Sequence, residues 1–252
     1  MFVRNESFQG FTRSYPVITT LVAIHIILYI WVYFFPFLGG KLVMDWGLGI
    51  NYLIEMGEYW RLVTPIFLHG SLMHMLFNSF SLVLFGPALE SMLGKFRFIA
   101  AYFTAGILAN IVTLFLEGPM YAHLGASGAI YGLFGLYLYM VLVRKDLIDP
   151  GSAQLIITIM VIGVIMTFVN PGINRIAHIF GLISGAAIAP IILLGVTRYG
   201  RYNRSSGRGD SGDIGFDPDR WRKRDRNKQR MKVAFICIGA LALFLFIIFA
   251  IL

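Results

Sequence analysis

Two serines, four histidines and an asparagine interrupt otherwise apolar stretches of this chain: "HGSLMHMLFN" at 69–78, "HLGASGAIYG" at 123–132 and "AHIFG" at 177–181. Polar groups in long apolar runs are costly unless they are satisfied or used, so function is sought there first. His74 and Asn78 are four residues apart and share one helix face, which lets two side-chain donors converge. His69, five residues before His74, is expected to point well away from it. Ser127 and Tyr131 share a face in the same way, and Gly125 and Gly128 bracket the serine so that another helix or a substrate backbone can come close. At a helix start, Ser127 would also have free backbone N–H groups beside it. A serine becomes a nucleophile when a base takes its proton, and the tetrahedral intermediate that follows needs donors aimed at its oxyanion. Ser127, His178, His74 and Asn78 supply that set. No acid lies inside any of the apolar runs, so the pattern reads as a Ser–His dyad without a carboxylate third member.

The elements that must hold these groups are membrane spans. The chain is 58% hydrophobic and only 13% charged, with a mean hydropathy of +0.74, whereas a soluble domain is about 45–50% apolar and about 25% charged. Seven apolar runs free of Asp, Glu, Lys and Arg approach or reach the length needed to cross a bilayer, at 16–38, 67–89, 98–116, 124–143, 153–169, 176–196 and 233–252. The first contains Pro16 and His25 and is not followed by a small-residue cleavage pattern, so it is expected to stay as a span. The single cysteine, Cys237, lies in the last run, which excludes an intramolecular disulfide. With the N-terminus cytoplasmic, all but three of the 21 Lys and Arg residues fall on the inner side; Lys41, Arg61 and Arg175 are the exceptions. That asymmetry sets the orientation, and seven spans then place the C-terminus outside. Spans 2, 4 and 6 all enter from the outer side, which brings their polar groups to a similar outer depth.

The expected organisation is a short cytoplasmic N-terminus (1–15), a six-span core (16–196), a basic cytoplasmic linker (197–232) and a seventh span (233–252). The linker is rich in Gly, Ser, Asp and Arg with little aliphatic surface to bury, which suits a flexible tether. No fold or stacking platform accompanies its charge, so nucleic acid is not an expected partner. The connection at about 39–66, with its Trp, Tyr, Leu and few charges, suits an element in the outer membrane interface. Glu90 and Arg97, at the inner turn between spans 2 and 3, are expected to form a structural ion pair.

Taken singly, each polar residue has an ordinary reading: Ser127 as a packing residue, His178 as an interhelical hydrogen bonder, His74 with Asn78 as a polar clamp. Together, "GASG" at 125–128, "HGSLMHMLFN" at 69–78, "YWR" at 59–61 and "AHIFG" at 177–181 resemble the rhomboid intramembrane serine proteases, over roughly 15–196. The resemblance implies an all-α polytopic bundle with a six-helix core and an extra C-terminal transmembrane helix. It implies Ser127 as nucleophile and His178 as general base, with His74, Asn78 and the Ser127 amide as oxyanion-hole donors. Tyr131 would stack on the His178 imidazole, Trp60 and Arg61 would belong to the interfacial loop, and Gly181 and Gly185 would let span 6 pack closely on span 4. Partners would be transmembrane protein substrates within the lipid bilayer, with no cofactor and no metal. The short N-terminus, without an Arg- and Ser-rich presequence, favours a bacterial plasma membrane.

Rival classes fit less well. A transporter normally couples through intramembrane charges, which these runs lack. A zinc hydrolase would need two histidines on one face with a carboxylate, which "HGSLMH" does not offer. A client-binding relative without chemistry would have no need of both Ser127 and His178.

Overall fold

The computed structural model describes residues 6–170 and 172–197. Nine α-helices run in chain order there: α1 (Phe8–Ser14), α2 (Pro16–Phe34), α3 (Gly40–Gly47), α4 (Asn51–Glu55), α5 (Leu72–Leu93), α6 (Lys95–Leu116), α7 (Ser127–Leu142), α8 (Pro150–Val169) and α9 (Arg175–Ile192). Two two-residue strands, β1 (Gly49–Ile50) and β2 (Ala122–His123), pair antiparallel with Gly49 opposite His123. The protein is an all-α polytopic membrane bundle. Helices α2, α5, α6, α8 and α9 are each long and apolar enough to cross a membrane, and α7 is a shorter apolar helix. The basic linker and the seventh span lie outside the described residues.

Helix α7 is the axis of the bundle. Twelve of its 16 residues are buried, the pattern of a core helix rather than of an amphipathic one. Its rise of about 24 Å falls short of the ~30 Å hydrocarbon layer, so α7 by itself is too short to cross it. Glycines allow its close packing on both sides. A Cβ on Gly132 would overlap Ala105 of α6, and Cβ atoms on Gly181 and Gly185 of α9 would overlap the carbonyls of Gly128 and Gly132. Backbone therefore meets backbone along the α7–α9 seam, the small-residue packing that membrane helices favour. Helix α8 is the opposite case: Ile157, Val161, Ile162, Ile165 and Phe168 are exposed, an apolar face that suits lipid.

Two polar devices close the ends of the helices away from Ser127. Pro16 opens α2, whose N-cap Tyr15 provides no side-chain cap. Glu90 of α5 provides it instead, accepting from Val17 N (2.9 Å) and Ile18 N (3.0 Å). Arg97 donates to the Leu194 carbonyl at 2.8 Å, and Arg144 donates to the carbonyls of Leu193 and Val196, so cations sit at the C-terminal end of α9, where a helix favours them. The expected Glu90 to Arg97 ion pair is thus replaced by two separate helix caps. The charges at this turn meet orphaned backbone groups of α2 and α9, which need partners in an apolar medium more than exposed ions need each other. Glu90→Ala is expected to destabilise the protein by about 2–3 kcal/mol, since it leaves two N–H groups buried without acceptors. Unfolding in detergent micelles, followed by circular dichroism, measures this; an unchanged midpoint rules out the capping role.

The connection between α2 and α5 is built rather than loose. Arg61, 4% exposed, pairs with Glu58 at 2.6 Å and donates to the carbonyls of Asp45 (2.8 Å) and Leu48 (2.6 Å). Trp60 stacks on Trp46, ring centroids 5.9 Å apart, and donates its indole N–H to the Trp46 carbonyl. The β1–β2 pair and the Gly125 N to Pro65 O bond (2.8 Å) fasten this connection to the segment that leads into α7.

Candidate active site

Ser127 is the first residue of α7, and the preceding Ala126 has no side chain to cap the helix. The first intrahelical bond is Ile130 N to Ala126 O, so the amides of the opening turn face outward with the positive end of the helix dipole. A half-buried hydroxyl sits in that turn. Gly125 lies two residues earlier with φ of +126°, a conformation that L side chains rarely adopt. It also makes room for a neighbour: a Cβ there would stand 2.6 Å from Cε1 and Nε2 of His74. The His74 ring therefore rests against the backbone just ahead of Ser127.

His178 reaches the same place from α9. Asn174 caps that helix, accepting from Ala177 N at 2.8 Å and donating to Thr113 Oγ1 of α6 at 3.3 Å. This holds the first turn of α9 against α6 and places His178 at its fourth residue. The Gly128–Gly181 contact then brings α9 against the start of α7. The His178 ring lies stacked on that of Tyr131, with centroids 4.0 Å apart and planes 20° from parallel. Tyr131 is one helical turn below Ser127 on the same face of α7, so His178 and Ser127 occupy one corner of the bundle.

Asn78 is 6% exposed and spends one amide N–H on the His74 carbonyl, four residues back, at 2.9 Å. An asparagine amide has a second N–H, which is the one left for a ligand. Ser71 caps α5 by accepting from His74 N at 3.2 Å, so His74 rides on the first turn of the helix. That cap also explains a departure from the expectation for His69. Because α5 begins only at Leu72, His69 lies in the preceding connection and helical spacing does not apply to it. Its ring meets that of His74 edge-on at 5.1 Å, and His25 of α2 meets His69 at 4.6 Å. Sequence reasoning thus missed His25 as a neighbour of the site. His123, on β2 outside the spans, is held down to about 4 by burial and so stays neutral near pH 7.

Trp60 and Arg61 make their bonds within the connection between α2 and α5, and none of the hydrogen bonds described for them reaches Ser127 or His178. A further residue does enter the cluster. Thr167 of α8 is 1% exposed and lies 2.7 Å from Nδ1 of His178. The only signal for it in the sequence is a hydroxyl in an apolar run, which is weak because such a group is easily satisfied by its own helix. Among the described residues no group of three or more His, Cys, Asp or Glu is arranged to hold a metal ion.

The corner brings together a hydroxyl at a helix N-terminus, an imidazole on the neighbouring helix, and an amide and an imidazole on a third. Comparison with known proteins identifies the family of the chain. Residues 56–195 match the family model described as Rhomboid domain. The chain is 49% identical over 186 residues to the "Putative rhomboid protease YdcA" of Bacillus subtilis (strain 168), covering 73% of this chain and 92% of that protein. It is 38% identical over 154 residues to "Rhomboid protease GluP" of the same organism, covering 61% of this chain and 30% of that protein. It is 35% identical over 144 residues to "Rhomboid-like protease 2" of Toxoplasma gondii, covering 56% of this chain and half of that protein. With the helical bundle and these relatives together, the chain belongs to the rhomboid family and is a rhomboid-type intramembrane serine protease.

Proposed function

We propose that this protease cleaves transmembrane segments of membrane proteins near the outer membrane face, with Ser127 as nucleophile and His178 as general base. The observation that carries the assignment is the stack of His178 on Tyr131, one turn from Ser127 on α7. In the first step Ser127 Oγ attacks a substrate carbonyl while its proton passes to His178, which then gives it to the leaving amine. Water hydrolyses the acyl-enzyme, again with His178 as base. The developing oxyanion would be met by the Ser127 amide, the free N–H of Asn78 and the His74 ring. Gly125 and Gly128 keep the approach to Ser127 open, and Gly181 and Gly185 hold α9 close enough for the base to act.

In this reading the N-terminus is cytoplasmic and the C-terminus outside, in a bacterial plasma membrane. Residues 16–196 are the catalytic core, 197–232 a basic cytoplasmic tether and 233–252 a seventh span. The basis is the placement of the positive charges in the sequence.

A helical substrate hides its carbonyls in hydrogen bonds, so it must unwind locally before attack. Substrates with Gly, Pro or polar residues near the outer end of the span, and a small residue before the cut, are the expected choice. The test uses the full chain in liposomes with a single-span fluorogenic substrate and a fluorophosphonate probe. Wild type is expected to label at Ser127 and to cleave. Replacing the substrate's helix-weakening residues with Leu is expected to slow cleavage by about tenfold, the weight of roughly 1.4 kcal/mol of retained helix stability. Cleavage indifferent to that change would remove the unwinding step. Absence of both labelling and cleavage would point to a protein that holds membrane clients without chemistry.

A further inference from the structure

Thr167 is not among the residues that the proposed reaction needs, yet it is bonded to the imidazole that must act as base. Its hydroxyl has three neighbours: the Gly163 carbonyl of its own helix at 2.8 Å, the Tyr131 hydroxyl at 3.2 Å and Nδ1 of His178 at 2.7 Å. A threonine hydroxyl holds one proton and two lone pairs. The Gly163 carbonyl can only accept, so the Thr167 proton goes there. Both lone pairs then receive protons, one from Tyr131 O–H and one from His178 Nδ1–H. In the other arrangement, Thr167 would give its proton to Nδ1 and leave two oxygens 2.8 Å apart with no proton between them. The first assignment satisfies all three contacts and leaves none repulsive.

We infer that Thr167 is a positioning residue that holds His178 in the Nδ1–H tautomer, with its Nε2 lone pair free for the Ser127 proton. A Ser–His pair needs that tautomer at the start of each turnover, and in triads a carboxylate enforces it. Here a neutral hydroxyl takes the carboxylate's place. When Nε2 accepts the Ser127 proton, the Nδ1–H bond to Thr167 is unchanged, so the same contact serves the neutral and the protonated ring. The setting is built to hold it. Thr167 is almost wholly buried, its orientation is locked by the bond to Gly163, and a Cβ on Gly163 would stand 2.8 Å from the Tyr131 hydroxyl. Glycine at 163 therefore leaves the space in which the Tyr131 hydroxyl reaches Thr167, and the same tyrosine ring supports the imidazole from its face.

This inference rests on the Ser127–His178 reading, and the experiment separates the two. The full chain is prepared with 15N-labelled histidine, and the ring nitrogens of His178 are assigned by their loss in His178→Ala. The expected spectrum near neutral pH shows a protonated Nδ1 and an unprotonated Nε2. Thr167→Val keeps the shape and removes the acceptor; it is expected to lower kcat about 10–100-fold with little change in KM, while Thr167→Ser stays within about threefold of wild type. Thr167→Val is also expected to raise the Nε2–H population. An Nε2–H tautomer in wild type, or wild-type kcat in Thr167→Val, overturns the inference. If Thr167→Val does not fold, the wild-type tautomer decides. Full activity in Ser127→Ala or His178→Ala sinks the dyad itself, whereas activity that needs His178 and ignores Thr167 sinks the positioning role alone.

Discussion

Ser127→Ala and His178→Ala are each expected to slow cleavage of a single-span substrate by about 1,000-fold or more, with the double variant no slower than either single one. The equality is the informative part. In the proposed dyad, nucleophile and base act on one proton in one step, so removing either removes the step, and nothing is left for the second substitution to cost. Residual turnover would come from oriented binding and the oxyanion donors, which remain in both variants. Asn78→Ala should behave differently. It leaves the nucleophile and base in place and removes one donor, for an expected loss of about 10–100-fold in kcat. Part of that loss is helix stability, since one Asn78 N–H is bonded to the His74 carbonyl, so kcat is compared at matched folded fraction. Initial rates in liposomes provide these numbers. A double variant slower than both single variants by the product of their effects would mean that Ser127 and His178 act independently, and the dyad would have to be abandoned.

Gly185→Ala, a change of one methyl group, is expected to unfold the bundle or destabilise it by about 3 kcal/mol or more. The added Cβ would overlap the Gly132 carbonyl, carbon and Cα together, and helix backbone cannot move aside as a flexible side chain can. Relief requires α7 and α9 to separate along the seam, which opens voids against α6 on the other side of α7. Gly118→Ala is the control. Nothing stands within 4 Å of a Cβ there, and the expected change is within about 0.5 kcal/mol. Gly181→Ala presses on Gly128 and shifts His178, three residues earlier, relative to Ser127. A displacement near 1 Å costs about 100-fold in rate, so turnover should fall even where the variant folds. Thermal or SDS unfolding read beside initial rates separates the two effects. A Gly185→Ala protein with wild-type unfolding would show that the seam is looser than its geometry implies.

What the sequence determined by itself is local and periodic. Apolar runs long enough for a bilayer place α2, α5, α6, α8 and α9, because backbone in hydrocarbon must bond within its own segment and helices alone do so in single runs. Four-residue spacing puts Ser127 with Tyr131 and His74 with Asn78 on shared faces, since the helix repeat is the same wherever the helix lies. The motifs around 69–78, 125–128 and 177–181 also carry the family resemblance.

Tertiary structure alone decided the contacts between elements. Spacing turned His69 away from His74, but the Ser71 cap starts α5 after His69 and the two rings meet. Charge pattern paired Glu90 with Arg97, but the bundle brings the start of α2 to Glu90 and the end of α9 to Arg97. Thr167 left only a weak mark in the sequence, because a hydroxyl bonded to its own helix is satisfied whether or not a histidine stands beside it. Its distance to His178 depends on how α8 and α9 are set against α7, and a one-dimensional pattern fixes rotation within a helix but not the separation between two.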